Sequence, residues 1–190
     1  MRAVVQPAAS SPVRRGAAVL GCALLLSVSA AVAADAGKAA PDIVLRGADG
    51  KAQQLSALRG KIVYLDFWAS WCAPCRKSFP WMNELHKRFR ERGLVVIAVN
   101  LDEKREDADA FLARYPAQFR IAYDAAATGA KSFGVKGMPT SFLIARDGTV
   151  IFEHKGYRES LNGDIEKEIR RALEQQQNAQ VKGNLAWSAL

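Results

Sequence analysis

The sequence has little cysteine and almost no histidine. Its 190 residues include three cysteines, Cys22, Cys72 and Cys75, and two histidines, His86 and His154. A structural zinc site draws on four Cys or His ligands. Outside the N-terminal stretch the whole supply is Cys72, Cys75, His86 and His154, so zinc accounts poorly for the cysteines and no resident metal or other cofactor is expected. No internal repeat is visible. Residues 1–34 contain no acidic side chain, and Gly16 to Ala34 carries no charge at all. No Thr-x-x-Cys arrangement is present, which counts against a peroxidase. Apolar residues make up 49% and charged residues 24% of the chain, the balance of a globular domain with a real core.

The uncharged run has the layout of an export signal. Arg14 and Arg15 precede it, Leu24-Leu25-Leu26 lies within it, and Ala31-Val32-Ala33 forms an A-x-A site, so cleavage would follow Ala33 or Ala34. Uncut, its 19 residues are just long enough to span a bilayer. Residues 1–34 thus read as a signal peptide or as a membrane signal-anchor, with 16–34 as the tether. Val19-Leu20-Gly21-Cys22 is a weak lipoprotein box, since the apolar core continues past Cys22, and the Arg pair is a weak twin-arginine signal. All of these readings place the domain outside the cytoplasm, in the periplasm, where disulfides persist. Three of the 27 basic residues and none of the 19 acidic ones lie in 1–34, leaving a net +5 on the rest. The basicity is scattered except for Lys87, Arg88, Arg90 and Arg92, which read as a solvated helix end. No nucleic-acid partner is expected.

Trp71-Cys72-Ala73-Pro74-Cys75 organises the rest. An apolar run, Ile62 to Trp68, precedes it, and helical spacing at Phe79, Met82, Leu85 and Phe89 follows. Cys-x-x-Cys between a strand and a helix reads as a redox pair. A helix N-terminus offers unpaired N–H groups and the positive end of the macrodipole, which favour a thiolate. Cys72 is expected to be the exposed attacker, with Cys75 one turn on, able to close the disulfide. Pro74 has no N–H to lose there. Ala73-Pro74 brings no cation to the thiolate, which favours a reductant over a strong oxidant. An inert structural disulfide is the plain alternative.

Residues 35–40 read as a linker, 41–176 as one domain and 177–190 as a tail. Within the domain, Pro41 to Lys61 suggests a strand or hairpin added to the main sheet, with a helical turn at Gln54–Leu58. Ile62–Leu65 and Leu94–Val99 are apolar without alternation, as in buried parallel strands. Pro80 should kink the helix between them, and Gly93 should end it. Ala108, Phe111, Leu112 and Tyr115 form a helical stripe that Pro116 stops. A short strand is expected over Phe119–Tyr123 and a weak helix over Ala125–Phe133. Thr140–Ala145 and Val150–His154 should pair around Asp147-Gly148. The last helix carries Ile165, Ile169, Ala172 and Leu173 and should fray from Gln175. The fold class expected is α/β, a mixed sheet flanked by helices.

Asp66 to Cys75 resembles the thioredoxin active-site segment almost position by position, and Pro80 matches it too. Phe133-Gly134-Val135-Lys136-Gly137-Met138-Pro139-Thr140 resembles the loop carrying that family's cis-proline. The leader, the extra N-terminal strand and the α–β insertion from Asn100 to Tyr123 resemble exported TlpA/ResA-type thiol–disulfide oxidoreductases. The resemblance covers Pro41 to about Gln175. It implies a thioredoxin-like fold and a cis Met138–Pro139 bond against the cysteine pair, with the Met138 backbone open to an extended substrate. Pro139 as an ordinary turn proline is the alternative. It also implies protein disulfide substrates, such as apocytochrome c or copper-site assembly factors, and a membrane thiol reductase as electron donor.

Asp66 ends an apolar strand. Burial should raise its pKa and poise it to take a proton from Cys75; a purely structural carboxylate is the alternative. Trp71 should shield the disulfide and contact substrate, or simply pack. His86 and His154 read as surface residues. Ser78 departs from the family, many of whose members carry Glu three residues after the second cysteine. Two other functions stay open: a copper-handling thiol module, and a disulfide oxidase or peroxidase of the same fold.

Overall fold

The computed structural model describes residues 36–187, with 176–187 described by backbone alone. The segment expected to be a signal or anchor lies outside them, as do residues 188–190. Among the described residues no helix is long and apolar enough to cross a membrane.

Seven strands form one mixed sheet, in the order β2-β1-β5-β4-β3-β6-β7. β1 (Val44–Arg46) and β2 (Ala52–Gln54) make the added hairpin. The centre is β3 (Ile62–Trp68), buried at every position, with β4 (Leu94–Asn100) parallel to it. β5 (Arg120–Tyr123) continues the parallel set. β6 (Thr140–Ile144) and β7 (Val150–Lys155) form the expected hairpin, and β6 runs antiparallel to β3.

Four helices cover both faces. α1 (Ala73–Phe89) is the crossover between β3 and β4, and α2 (Arg105–Arg114) leads to β5. α3 (Thr128–Ser132) is the short helix before β6, and α4 (Asn162–Trp187) closes the chain. Side chains alternate across a strand, so β3 serves two cores. Ile62, Tyr64 and Trp68 join Phe79, Met82, Phe111 and Ile169 on one face. Val63, Leu65 and Phe67 join Leu45, Leu58, Phe133 and Phe142 on the other.

Two elements differ from expectation at their ends. α2 stops at Arg114, with Tyr115 outside it as the cap, so its buried face is Ala108 and Phe111 alone. α4 does not fray at Gln175; its backbone stays helical to Trp187. From Gln175 to Trp187 the sequence has four glutamines, two alanines and no proline, so nothing there breaks the helix outright, although Gly183 weakens it. α1 ends in a 3-10 turn, Arg90–Arg92, capped by Gly93 at φ 99°, as its glycine suggested. Pro80 lies inside α1 on its exposed side.

Candidate active site

β3 delivers the chain to the site. A tight loop after Trp68 brings Cys72 to the N-cap of α1, its N–H donating to Ala69 O at 3.1 Å. Cys72 Sγ accepts from the Cys75 N–H at 3.3 Å, as a sulfur at a helix N-terminus can. Pro74 stands in the first turn. Cys72 and Cys75 form a disulfide, S–S 2.04 Å with Cα atoms 5.3 Å apart.

One expectation needs correcting. Cys72 is not openly exposed: it retains 4% of its surface, against 0% for Cys75. It packs in one core cluster with Cys75, Trp68 and Phe79. The exposed group is Trp71, at 71%. Ser78 is buried and donates its hydroxyl to Cys75 O at 3.0 Å. It closes a local bond on its own helix and brings no titratable group.

The Met138–Pro139 bond is cis. Register places it: Thr140 pairs with Phe67, so the residues just before Thr140 sit at the end of β3 that leads to Cys72. Met138 is half-buried against the cluster that contains both cysteines. Pro139 O accepts from the Gly156 N–H at 2.7 Å, and Thr140 Oγ1 donates to Gly137 O at 2.7 Å, so the loop is tied on both sides.

Asp66 is 2% exposed, and its Oδ2 has no hydrogen-bond partner. Burial pushes its carboxyl well above the ordinary carboxylate value. It lies on the same face of β3 as Tyr64 and Trp68, the face against which Cys75 packs. Tyr64 donates to Ser141 Oγ at 2.8 Å. Burial raises the Tyr64 phenol too, and Asp66 adds to that. His86 and His154 are half-buried rather than on the surface. Burial lowers both, helped by Arg90 and Arg120 around His86 and by Arg158 beside His154.

Sequence reasoning missed a buried polar cluster under the loop that carries Trp71. Asp102, 6% exposed, accepts from Ser70 N–H at 2.9 Å, Ser70 Oγ at 2.9 Å and Asn100 Nδ2 at 2.7 Å. Its own N–H donates to Asn100 Oδ1 at 3.1 Å. The available signal was the polar pair Asn100 and Asp102 directly after a fully apolar strand. A groove of about 190 Å³ beside it is lined by Ser70, Arg76, Asp107, Phe111 and Arg114. Among the described residues no group of three or more His, Cys, Asp or Glu is placed to hold a metal ion.

A thioredoxin-like sheet with a Cys-x-x-Cys disulfide at the N-terminus of its crossover helix, beside a cis-proline loop, defines a thiol–disulfide oxidoreductase. The comparisons agree. The chain belongs to the Redoxin family, whose profile matches residues 35–169. It is 42% identical over 120 residues to the thiol-disulfide oxidoreductase ResA of Bacillus thuringiensis subsp. konkukian (strain 97-27), covering 63% of this chain and 69% of the relative. To ResA of Bacillus subtilis (strain 168) it is 37% identical over 138 residues, covering 70% of this chain and 77% of the relative. A crystal structure from Chlorobium tepidum, assigned as a thiol:disulfide interchange protein DsbE, superposes with a TM-score of 0.70. It is 50% identical and covers 73% of this chain and 98% of its own.

Proposed function

We propose that this oxidoreductase works outside the cytoplasm, in the periplasm, as a reductant of protein disulfides. Residues 1–34 act as its signal or anchor and 41–176 as the catalytic domain; of the stretch 35–40 expected to be a linker, Gly37 to Ala40 is bonded along Gly148–Val150 and belongs with the domain. The observation that carries the reading is the position of Cys72, at a helix N-cap with its sulfur on the Cys75 amide and no cation between the cysteines. The amide and the helix dipole favour a thiolate. The missing cation limits that effect and keeps the pair from becoming a strong oxidant.

In the reduced enzyme the Cys72 thiolate attacks one sulfur of a substrate disulfide. An S–S bond forms between enzyme and substrate, and the other substrate sulfur leaves as a thiolate. Cys75 then attacks Cys72 Sγ, the mixed disulfide breaks, and the second substrate sulfur leaves. Two electrons have passed to the substrate, and the Cys72–Cys75 bond is closed. Asp66 in its ionised form, which its raised pKa makes a stronger base than an ordinary carboxylate, takes the Cys75 proton in that step. Trp71 and the Met138–Pro139 segment receive the substrate chain, Met138 through its backbone. Apocytochrome c and copper-site assembly factors are the substrate classes that the family resemblance brings. A membrane thiol reductase restores the dithiol, and residues 16–34 keep the enzyme near it.

Insulin disulfide reduction tests this. Wild type is active, Cys72→Ser is inactive, and Cys75→Ser accumulates a mixed disulfide with its substrate. A reduction potential near roughly −270 mV fits a reductant, and one near roughly −120 mV overturns the direction. Full activity in Cys72→Ser overturns the exchange mechanism itself.

A further inference from the structure

Strand direction gives the domain two ends. The cysteine pair and the cis-proline loop lie where β3 finishes. At the other end β3 and β4 begin side by side, at Ile62 and Leu94. The β6–β7 turn closes there too, since Val63 stands opposite Ile144. Direct contacts join these loops. Gly60 N–H donates to Arg146 O at 2.9 Å, and Ile62 N–H to Gly93 O at 3.1 Å. Arg146 Nη1 donates to Gly60 O, and its Nη2 lies 3.0 Å from where a Cβ on Gly93 would stand. A Cβ on Gly148 would collide with the Arg59 guanidinium.

This end is rich in cations. It presents Arg59, Lys61, Arg90 and Arg92, with Lys87 and Arg88 in the last turn of α1, while the half-buried Arg146 is turned in to tie the loops together. Its acids are few. Glu91 meets Arg90 at 3.2 Å and Glu174 meets Arg92 at 4.0 Å, both pairs at the surface, where such pairing is weak. Asp147 is bound back to the Thr149 N–H at 2.9 Å. Among the described residues Lys61 and Lys87 have no ion-pair partner. At the cysteine end Arg76, Lys77, Lys104, Arg105, Lys136 and Lys155 stand with Glu103, Glu106, Asp107, Asp109 and Glu153, closer to balance, and Arg105 and Lys155 are paired, with Asp109 at 2.8 Å and Glu153 at 3.2 Å.

The N-terminal side of the chain arrives at the cationic end. Gly37 N–H donates to Val150 O, Val150 N–H to Lys38 O and Ala40 N–H to Gly148 O, each at 2.8 Å. The uncharged run 16–34 therefore stops in sequence just before this face. We propose that the face formed by Arg59, Lys61, Lys87, Arg90 and Arg92 docks on an anionic lipid surface, with the cysteine pair turned away from the bilayer. The proposal rests on the tether reading of residues 16–34. Cations spread over several loops suit a layer of headgroups, where each gains separately. An apolar stretch beside them in sequence adds the second signal that stable membrane attachment needs.

Lysine acetylation of the full chain on vesicles tests it. Phosphatidylcholine vesicles are compared with phosphatidylcholine–phosphatidylglycerol vesicles. Lys61 and Lys87 should react several-fold more slowly on the anionic vesicles only, while Lys77 and Lys136, at the cysteine end, react equally on both. High salt should restore Lys61 and Lys87, and so should Arg90→Glu/Arg92→Glu. Equal rates on the two vesicles, or slowing at Lys77 and Lys136 instead, overturn the docking face. Failure of the chain to float with neutral vesicles overturns the tether alone. Salt-sensitive flotation with anionic vesicles then still supports the face, and its absence overturns it.

Discussion

Asp66 is the residue where burial and chemistry conflict most. Folding raises its pKa above 3.8, so the native state keeps a proton that the unfolded chain releases. Stability is then fully present below 3.8 and declines as pH climbs through the raised folded value. Asp66→Asn removes the titrating group. Urea midpoints of the variant should vary less with pH across that window and exceed wild type at its upper end. An unchanged slope would mean that Asp66 is ionised in the native protein. That Asp66 would be buried was legible, because it interrupts an apolar run. That Cys72 would be nearly covered was not, since the residues of its core cluster, Phe111 and Ile169 among them, come from elements distant in sequence.

At the level of elements, the loop between β3 and α1 is held from below by the loop between β4 and α2. Asp102 makes that connection through Ser70 and Asn100. Asp102→Ala leaves buried donors without an acceptor and should cost about 1–3 kcal/mol, read from chemical denaturation. Amide exchange at Ser70, Trp71 and Cys72 should quicken in the variant. Ser70→Ala gives up one hydroxyl and should cost less. A double-mutant cycle between the two should show coupling, and strict additivity would argue against the link. No local pattern announces this connection, for Ser70 and Asp102 meet only once β3 and β4 have paired. Strands and hairpin were readable because apolar runs and Asp147-Gly148 are local signals. The continuation of α4 was missed because its polar composition, with Gly183 and two asparagines, carries no apolar stripe to mark a helix.

For the whole molecule, β3 is shared property: each face of it belongs to a different core. Phe79, 4.8 Å from Trp68 and 4.9 Å from Phe111 by ring centroid, fills one. Phe133, 4.8 Å from Phe142, fills the other. Phe79→Ala and Phe133→Ala should each cost about 3–5 kcal/mol. Because both cores hang on one strand, each variant should shift a single cooperative transition seen alike by fluorescence and circular dichroism. Two separable transitions would show that the faces fold independently.

The length of β3 also sets a standoff. Its seven residues, at about 3.3 Å each, hold the sulfurs roughly 20 Å from the side where Gly37 joins the sheet. Whatever refills this dithiol from a base at that side must carry its own thiols up by the same height, on an arm or a raised domain. A donor whose cysteines lie flush with its base would be too low to touch them.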